Sequence, residues 1–313
     1  MPLIEPNEKR IGYIAGISAY MIWGLLPIYW HSMAAISSWE VLIHRVVWAA
    51  VLTAGMMTAL GRWHTIAALL KNPRTSLAAA ACAFLISINW LVFIWAISVG
   101  RTLETSLGYF INPLLNVLVG ALVLRERLTF LQIAAVICAA LGVFYAIVIA
   151  DHLPWIALVL AASFTAYGFL RKVMMADSLT GLTAETCLLF PFAFLGIGWF
   201  WLEKRIVFGA PVGAAHNLFT VSLFIGAGPV TVAPLLLFAI GARRLPFSTI
   251  GFLQYLAPSI AFVISILLFH EPLTKESLIT FIFIWSGIGL YVVDGIKRQR
   301  ATRIMEKSMS ENP

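Results

Sequence analysis

The stretch Leu103–Thr129, LETSLGYFINPLLNVLVGALVLRERLT, is long and apolar enough to cross a bilayer, yet it carries Glu104, Tyr109, Asn112, Pro113 and Asn116 inside it. Read as a helix, Thr105, Tyr109, Asn112 and Asn116 fall at i, i+4, i+7 and i+11, one stripe along a single face. Polar groups are costly against hydrocarbon, so that face is expected to look into a cavity and not at lipid.

A weaker echo of the stretch returns as Gly251–Thr274, GFLQYLAPSIAFVISILLFHEPLT. Pro113 and Pro258, Glu126 and Glu271, Leu128 and Leu273, and Thr129 and Thr274 each stand 145 residues apart. The same offset pairs Gly142 with Gly287 and Glu40 with Glu185, and AYMIWG at Ala19–Gly24 meets SFTAYG at Ser163–Gly168 at 144. The chain reads as an internal duplication.

Apolar residues make up 61% of the 313 and charged residues 11%, against about 45–50% and about 25% in soluble domains. That balance predicts an all-α integral membrane protein. Ten apolar segments are expected to span: Ile11–Trp30, Trp39–Leu60, Leu77–Ser98, Leu103–Leu124, Leu128–Ile149, Leu153–Val173, Leu182–Leu202, Leu218–Gly241, Phe247–Phe269 and Leu278–Ile296. The first reads as an uncleaved span, too long for a signal-peptide core. The longest connections, Gly61–Ser76 and Glu203–Asn217, have room only for a surface helix.

With the N-terminus inside, sixteen Lys and Arg fall on the cytoplasmic side and four on the outer side, which predicts both termini cytoplasmic. Five spans per repeat is an odd number, so the second half enters the membrane from the opposite side. The expected architecture is a 5+5 inverted repeat, residues 11–149 and 153–296, with a basic cytoplasmic tail over 297–313. Such repeats belong chiefly to transporters.

The net charge of +7 sits in short loops and reads as an orientation signal, not as a nucleic-acid surface. Cys82, Cys138 and Cys187 fall inside apolar spans without metal-like spacing, so no disulfide, metal or cofactor is expected. There is no GxxxxGK[ST], HExxH or GxSxG, which leaves ATP-driven transport and the common intramembrane hydrolases unsupported. A polytopic enzyme acting on lipid is a distant alternative, for which Glu40 with His44 is the only nearby acid–base pair.

Glu40 and His44 share a face of the second span, and Arg45 points about 100° further round. An arginine inside a span must be compensated. It is either paired with Glu40 or Glu104, or it binds an anion or carboxylate in the cavity. Asn89 and Trp90 lie near the middle of the third span, and with Trp23 and Tyr109 they offer aromatic surface for an amphipathic organic molecule. Pro27, Pro113 and Pro258 are expected to kink their helices. Arg125-Glu126-Arg127 and His270-Glu271 read as solvated turns.

Taken together, AYMIWGLLPIYW, EVLIHRVVW, NWLVFIWA, ETSLGYFINPLLN, RER, AYGFLRK, AET, GFLQYLAP and TFIFIW, in order and at compatible spacing, resemble the RarD proteins of the EamA branch of the drug/metabolite transporter superfamily. The resemblance implies a multi-pass permease of the bacterial inner membrane that moves small organic solutes. RarD members are commonly described as chloramphenicol-resistance permeases, while other relatives export amino acids or other metabolites. It adds Tyr167, Glu185, Gln254 and Tyr255 to the cavity candidates Trp23, Glu40, His44, Arg45, Asn89, Trp90, Glu104, Tyr109, Asn112 and Asn116. The implied partners are a small organic solute and the lipid bilayer.

Overall fold

The computed structural model describes residues 6–33, 36–99, 101–149, 154–203, 218–270, 273 and 275–311, and these form twelve helices with no strand among them. They are α1 (Pro6–His31), α2 (Ser38–Ala59), α3 (Trp63–Lys71), α4 (Pro73–Ser98), α5 (Thr102–Leu122), α6 (Phe130–Ile149), α7 (Trp155–Val173), α8 (Ser178–Leu202), α9 (Leu218–Arg244), α10 (Phe247–Gln254), α11 (Leu256–Leu267) and α12 (Lys275–Glu311). Among the described residues nine helices are long and apolar enough to cross a membrane, and Leu107–Leu122 of α5 adds a shorter apolar one. This is a multi-pass membrane protein.

The faces of the helices agree with that reading. On α6, Phe130, Ile133, Ile137, Leu141, Phe144 and Val148 recur every three or four residues and are exposed, Phe130 by 83%. Its opposite face, Ala135, Ala139, Gly142 and Val143, is buried. Large apolar side chains meet lipid while small ones let helix backbones approach, since burying apolar surface gains little when the surroundings are equally apolar. In the α6–α12 contact a Cβ on Gly142 would stand 2.9 Å from Phe283 Cβ, and one on Gly287 would stand 2.7 Å from the Ala135 carbonyl oxygen. Gly142→Leu and Gly287→Leu are therefore expected to lower the yield of monodisperse detergent-extracted protein. Gly289→Leu, which meets open space, is expected to leave it unchanged, and equal losses at all three would refute close packing at this seam.

The helix pairings have an internal order. α1 packs on α9 and α4 on α7; α2 packs on α9 and α4 on α8; α5 packs on α7 and α1 on α11; α2 meets α8, α5 meets α10 and α6 meets α12. Exchanging α1, α2, α4, α5 and α6 with α7, α8, α9, α10–α11 and α12 returns the same set. Local backbone repeats too. Arg125 and His270, 145 positions apart, both take the left-handed conformation with φ 54°.

Several boundaries depart from the sequence reading, α1 and α8 among them, which start at Pro6 and Ser178. The third span starts at Pro73, because proline is favoured in the first turn of a helix where its missing N–H costs nothing. The ninth is broken into α10 and α11 at Tyr255. Pro258 has no N–H to give the Gln254 carbonyl, so the helical ladder fails there. α12 runs on to Glu311, so the basic tail continues as helix. The connection after α2 holds the short helix α3, as its length allowed.

One end of the bundle is ionic. Glu8 pairs with Arg244 at 2.7 Å and Arg62 with Asp177 at 2.8 Å, while Thr129 donates to Asp294 at 2.8 Å. The Lys172 ammonium donates to the carbonyls of Ala242 and Leu245 at 2.9 and 2.5 Å, satisfying acceptors left over at the end of α9. Asp177 caps α8; burial pushes its carboxyl up, but the Thr180 hydrogen bonds and the Arg62 charge outweigh that and hold it below the usual range. Glu126 is not the solvated turn residue expected. It accepts from the Phe247 and Ser248 backbone N–H groups at 2.5 and 2.9 Å and from the Ser248 hydroxyl at 2.6 Å. A carboxylate there meets both the orphan donors and the positive end of α10. Glu271, 145 positions further on, lies outside the described residues.

Candidate functional site

A cavity of about 230 Å³ lies between the halves, lined from α1, α2, α4, α5, α7, α9, α10 and α11. It sits toward the end opposite the ionic contacts. Trp30 is one residue from the end of α1, while Arg45 and Tyr109 each lie seven residues, about two turns, into α2 and α5. On α1, Tyr20, Trp23, Pro27 and Trp30 follow at i, i+3, i+7 and i+10 and so present one face. Trp23 packs against Tyr20, Phe164 and Phe238 with ring centroids 5.4, 5.7 and 5.7 Å away, which makes a rigid aromatic wall. Gly108 lets α5 come close to α7, where a Cβ would already stand 3.2 Å from the Ala157 oxygen and from Leu160 Cβ.

Arg45 is the one ionised side chain in the lining among the described residues. Its Nε–H donates to Thr231 Oγ1 at 3.1 Å, and its guanidinium carbon stands 4.8 Å from the ring centroids of both Trp30 and Trp90. Each indole face attracts the cation by about 0.5–2 kcal/mol, more where water is excluded. Carboxylate compensation from Glu40 was one expectation, and it is not met. The 100° step along α2 turns Glu40 and His44 away, both 2% exposed, with the His44 ring 4.5 Å from Phe224 of α9. The side chain of Glu104 lies outside the described residues.

The polar stripe of α5 is divided by depth. Tyr109 lines the cavity and is 49% exposed, with its ring 6.0 Å from Phe93. Asn112 reaches the lining, but its Nδ2 donates to the Ala161 carbonyl at 2.8 Å and to Thr165 Oγ1 at 2.9 Å. Its Oδ1 accepts from Gln254 Nε2, and Asn116 Nδ2 donates to Gln254 Oε1 at 2.7 Å. Asn116 itself is outside the lining. Asn89 lines the cavity while donating to the Leu160 carbonyl at 2.9 Å and to Ser163 Oγ at 3.0 Å. These amides bind α4, α5, α7 and α10 to one another and so fix helix register, with the buried Asn116 Oδ1 left without a partner among the described residues.

The comparisons with known proteins agree with this frame. The model of the EamA-like transporter family matches residues 10–148. A protein of Vibrio cholerae called an uncharacterized transporter is 41% identical over 301 residues, which cover 96% of this chain and 97% of that one. Protein RarD of Streptomyces exfoliatus is 37% identical over 95% of this chain and 93% of its own. The chain belongs to the RarD family of EamA-like transporters. A crystal structure described only as that of a protein aligns with TM-score 0.65 at 19% identity, covering 89% of this chain and 96% of the other, and it supports the fold alone.

Of the positions the RarD resemblance had gathered, Trp23, Arg45, Asn89, Trp90, Tyr109, Asn112 and Gln254 meet around the cavity, and Pro27 and Pro258 join them. Glu40, His44, Asn116, Tyr167, Glu185 and Tyr255 do not line it. Tyr255 is buried and donates to the Phe110 carbonyl at 3.3 Å. Tyr167 and Glu185 belong to a separate buried cluster with Arg171. Lining residues that sequence reading missed include Tyr20, Trp30, Phe93, Phe164, Thr231 and Leu235. The helical spacing from Tyr20 to Trp30 carried a signal for the first two. Thr231 has none, since it is an ordinary hydroxyl between Pro229 and Pro234 on α9.

Proposed function

We propose that this chain is a secondary transporter that carries small organic solutes across the bacterial inner membrane. It is built as ten spans in a 5+5 inverted repeat over 11–149 and 153–296, with both termini in the cytoplasm. The observation that carries the reading is the cavity itself, enclosed by spans of both halves, aromatic on its walls and holding a single guanidinium. Among the described residues its lining has no carboxylate, histidine or cysteine, which favours passage of a solute over chemistry on it. The exchangeable helix pairings and the matched backbone of Arg125 and His270 support the repeat. The excess of Lys and Arg at the ionic end supports a cytoplasmic position for that end. In this reading the structure is closed on the cytoplasmic side, and alternation requires the ionic contacts to open while the aromatic end closes. Neutral drugs of the chloramphenicol kind, amino acids and other metabolites are the substrate classes open to such a permease.

Two measurements test this. Purified protein in liposomes is expected to give saturable, protein-dependent flux for at least one member of a panel of labelled chloramphenicol, amino acids and organic acids; folded protein without flux for any of them would count against transport. For topology, a cysteine at exposed Ser37 in a cysteine-free version is expected to react with an impermeant thiol reagent in intact spheroplasts. One at exposed His64 is expected to stay unlabelled, and the reverse pattern would invert the orientation.

A further inference from the structure

Arg45 stands in the cavity as a charge without a protein counter-ion among the described residues. Thr231 takes its Nε–H, its guanidinium carbon stands 4.8 Å from the centroids of the Trp30 and Trp90 rings, and the N–H bonds on its terminal nitrogens meet no acceptor among the described residues. A guanidinium held through its Nε and lying over two indole rings still offers the fork of its terminal nitrogens, and that fork matches two oxygens of a planar anion.

We infer that the cavity binds a small organic monoanion through a carboxylate seated on Arg45, with an apolar or aromatic body among Trp23, Phe93, Phe164 and Leu235. This rests on the transport reading above and names its substrate class. The lining supplies one positive charge, so one negative charge is matched and a dianion is not. It supplies no carboxylate among the described residues to meet an ammonium, so a zwitterionic amino acid brings a cation that finds no counter-ion there and is repelled by Arg45. Asn112 and Gln254 do not compensate, because their amides are already bonded to each other and to α5 and α7. A neutral solute would desolvate the guanidinium and leave its donors unmet, and a site whose donors go unmet discriminates strongly against that ligand. The volume of about 230 Å³ lies just below the range of roughly 300–1,000 Å³ common for small-molecule sites, which suits a metabolite.

The test uses purified full-length protein in detergent and reads ligand-induced thermal stabilisation, which reports affinity through mass action. The probes are acetate, butyrate, benzoate, phenylacetate and indole-3-acetate, each beside its own primary amide, with phenylalanine as the zwitterion and inorganic phosphate as a plain anion. At least one carboxylate is expected to bind about tenfold or more tightly than its amide, and phenylacetate more tightly than phenylalanine. Arg45→Gln is expected to erase the preference, and Arg45→Lys to recover it only in part, because the charge returns without the fork. Should Arg45→Gln fail to fold, the carboxylate-to-amide ratio of the unaltered protein decides alone. Amides that bind as well as every carboxylate, phenylalanine equal to phenylacetate, or phosphate displacing the carboxylates at equal concentration would each overturn the inference. Flux of a neutral solute in liposomes with no carboxylate preference would leave transport standing and remove this substrate class. Tight carboxylate binding without any flux would do the opposite.

Discussion

Arg171→Ala is expected to leave little folded protein. The Arg171 and Glu185 side chains are 1% and 2% exposed, and their ion pair closes at 3.1 Å between α7 and α8. Arg171 Nη2 also donates to the Ser178 carbonyl at 2.7 Å, and the Tyr167 hydroxyl donates to the other Glu185 oxygen at 3.2 Å. Removing one member strands the other charge in a dry core, a loss of about 3–5 kcal/mol, whereas replacing both by apolar residues of similar volume is often near neutral. Against a total stability of about 5–15 kcal/mol the single change is severe. Gly181 explains why the guanidinium can lie across α8, since a Cβ there would stand 1.9 Å from Arg171 Nη1. Gly181→Ala should therefore reproduce much of the Arg171→Ala defect. The measurement is the monodisperse fraction and melting temperature of detergent extracts for Arg171→Ala, Glu185→Ala, Gly181→Ala and the double Arg171→Met, Glu185→Leu. A double mutant no better than the singles would mean that the pair is not what holds these helices.

That cluster marks where sequence reading stops. Counting Lys and Arg took Arg171 only as one of the charges of the cytoplasmic side, because hydropathy sees the position along a helix and not the direction the side chain takes. Only its contacts with Glu185 and the Ser178 carbonyl across the turn from α7 to α8 show it directed inward. Glu126 failed for the same reason, since its partners, the N–H groups of α10, are 121 and 122 residues away. What was legible rests on period and offset. Apolar runs located the helices, and the α5 spacing put Tyr109 and Asn112 on the face that meets the cavity. The 145-residue offset found Gly142 and Gly287, which turn out to lie in the α6–α12 contact where a Cβ would stand under 3 Å from the facing helix. Helical rotation also separated Arg45 from Glu40 and His44, although it could not say that two indoles would take the place of a carboxylate.

Depth along one stripe is the finest distinction the structure adds, and it predicts a split between function and folding. Tyr109→Ala is expected to lower transport at least about tenfold, because an aromatic wall half open to the cavity is lost next to Arg45. Extractable protein should be nearly unchanged, since the Tyr109 side chain is half exposed. Asn116→Leu is expected to do the reverse. It takes the donor from Gln254 Oε1 and leaves a buried acceptor unmet, costing about 1–3 kcal/mol. Gln254 is also the residue at which α10 gives way to α11, so its loss of a partner should loosen the broken helix where the α5 stripe meets it. Asn112→Leu should impair both properties, as it lines the cavity and holds α7 and Gln254 together. Flux per folded molecule, measured beside the amount of monodisperse protein for each variant, separates the two effects. If Asn116→Leu folds normally yet loses flux as Tyr109→Ala does, the solute path runs the full length of the stripe and the amide network is part of it.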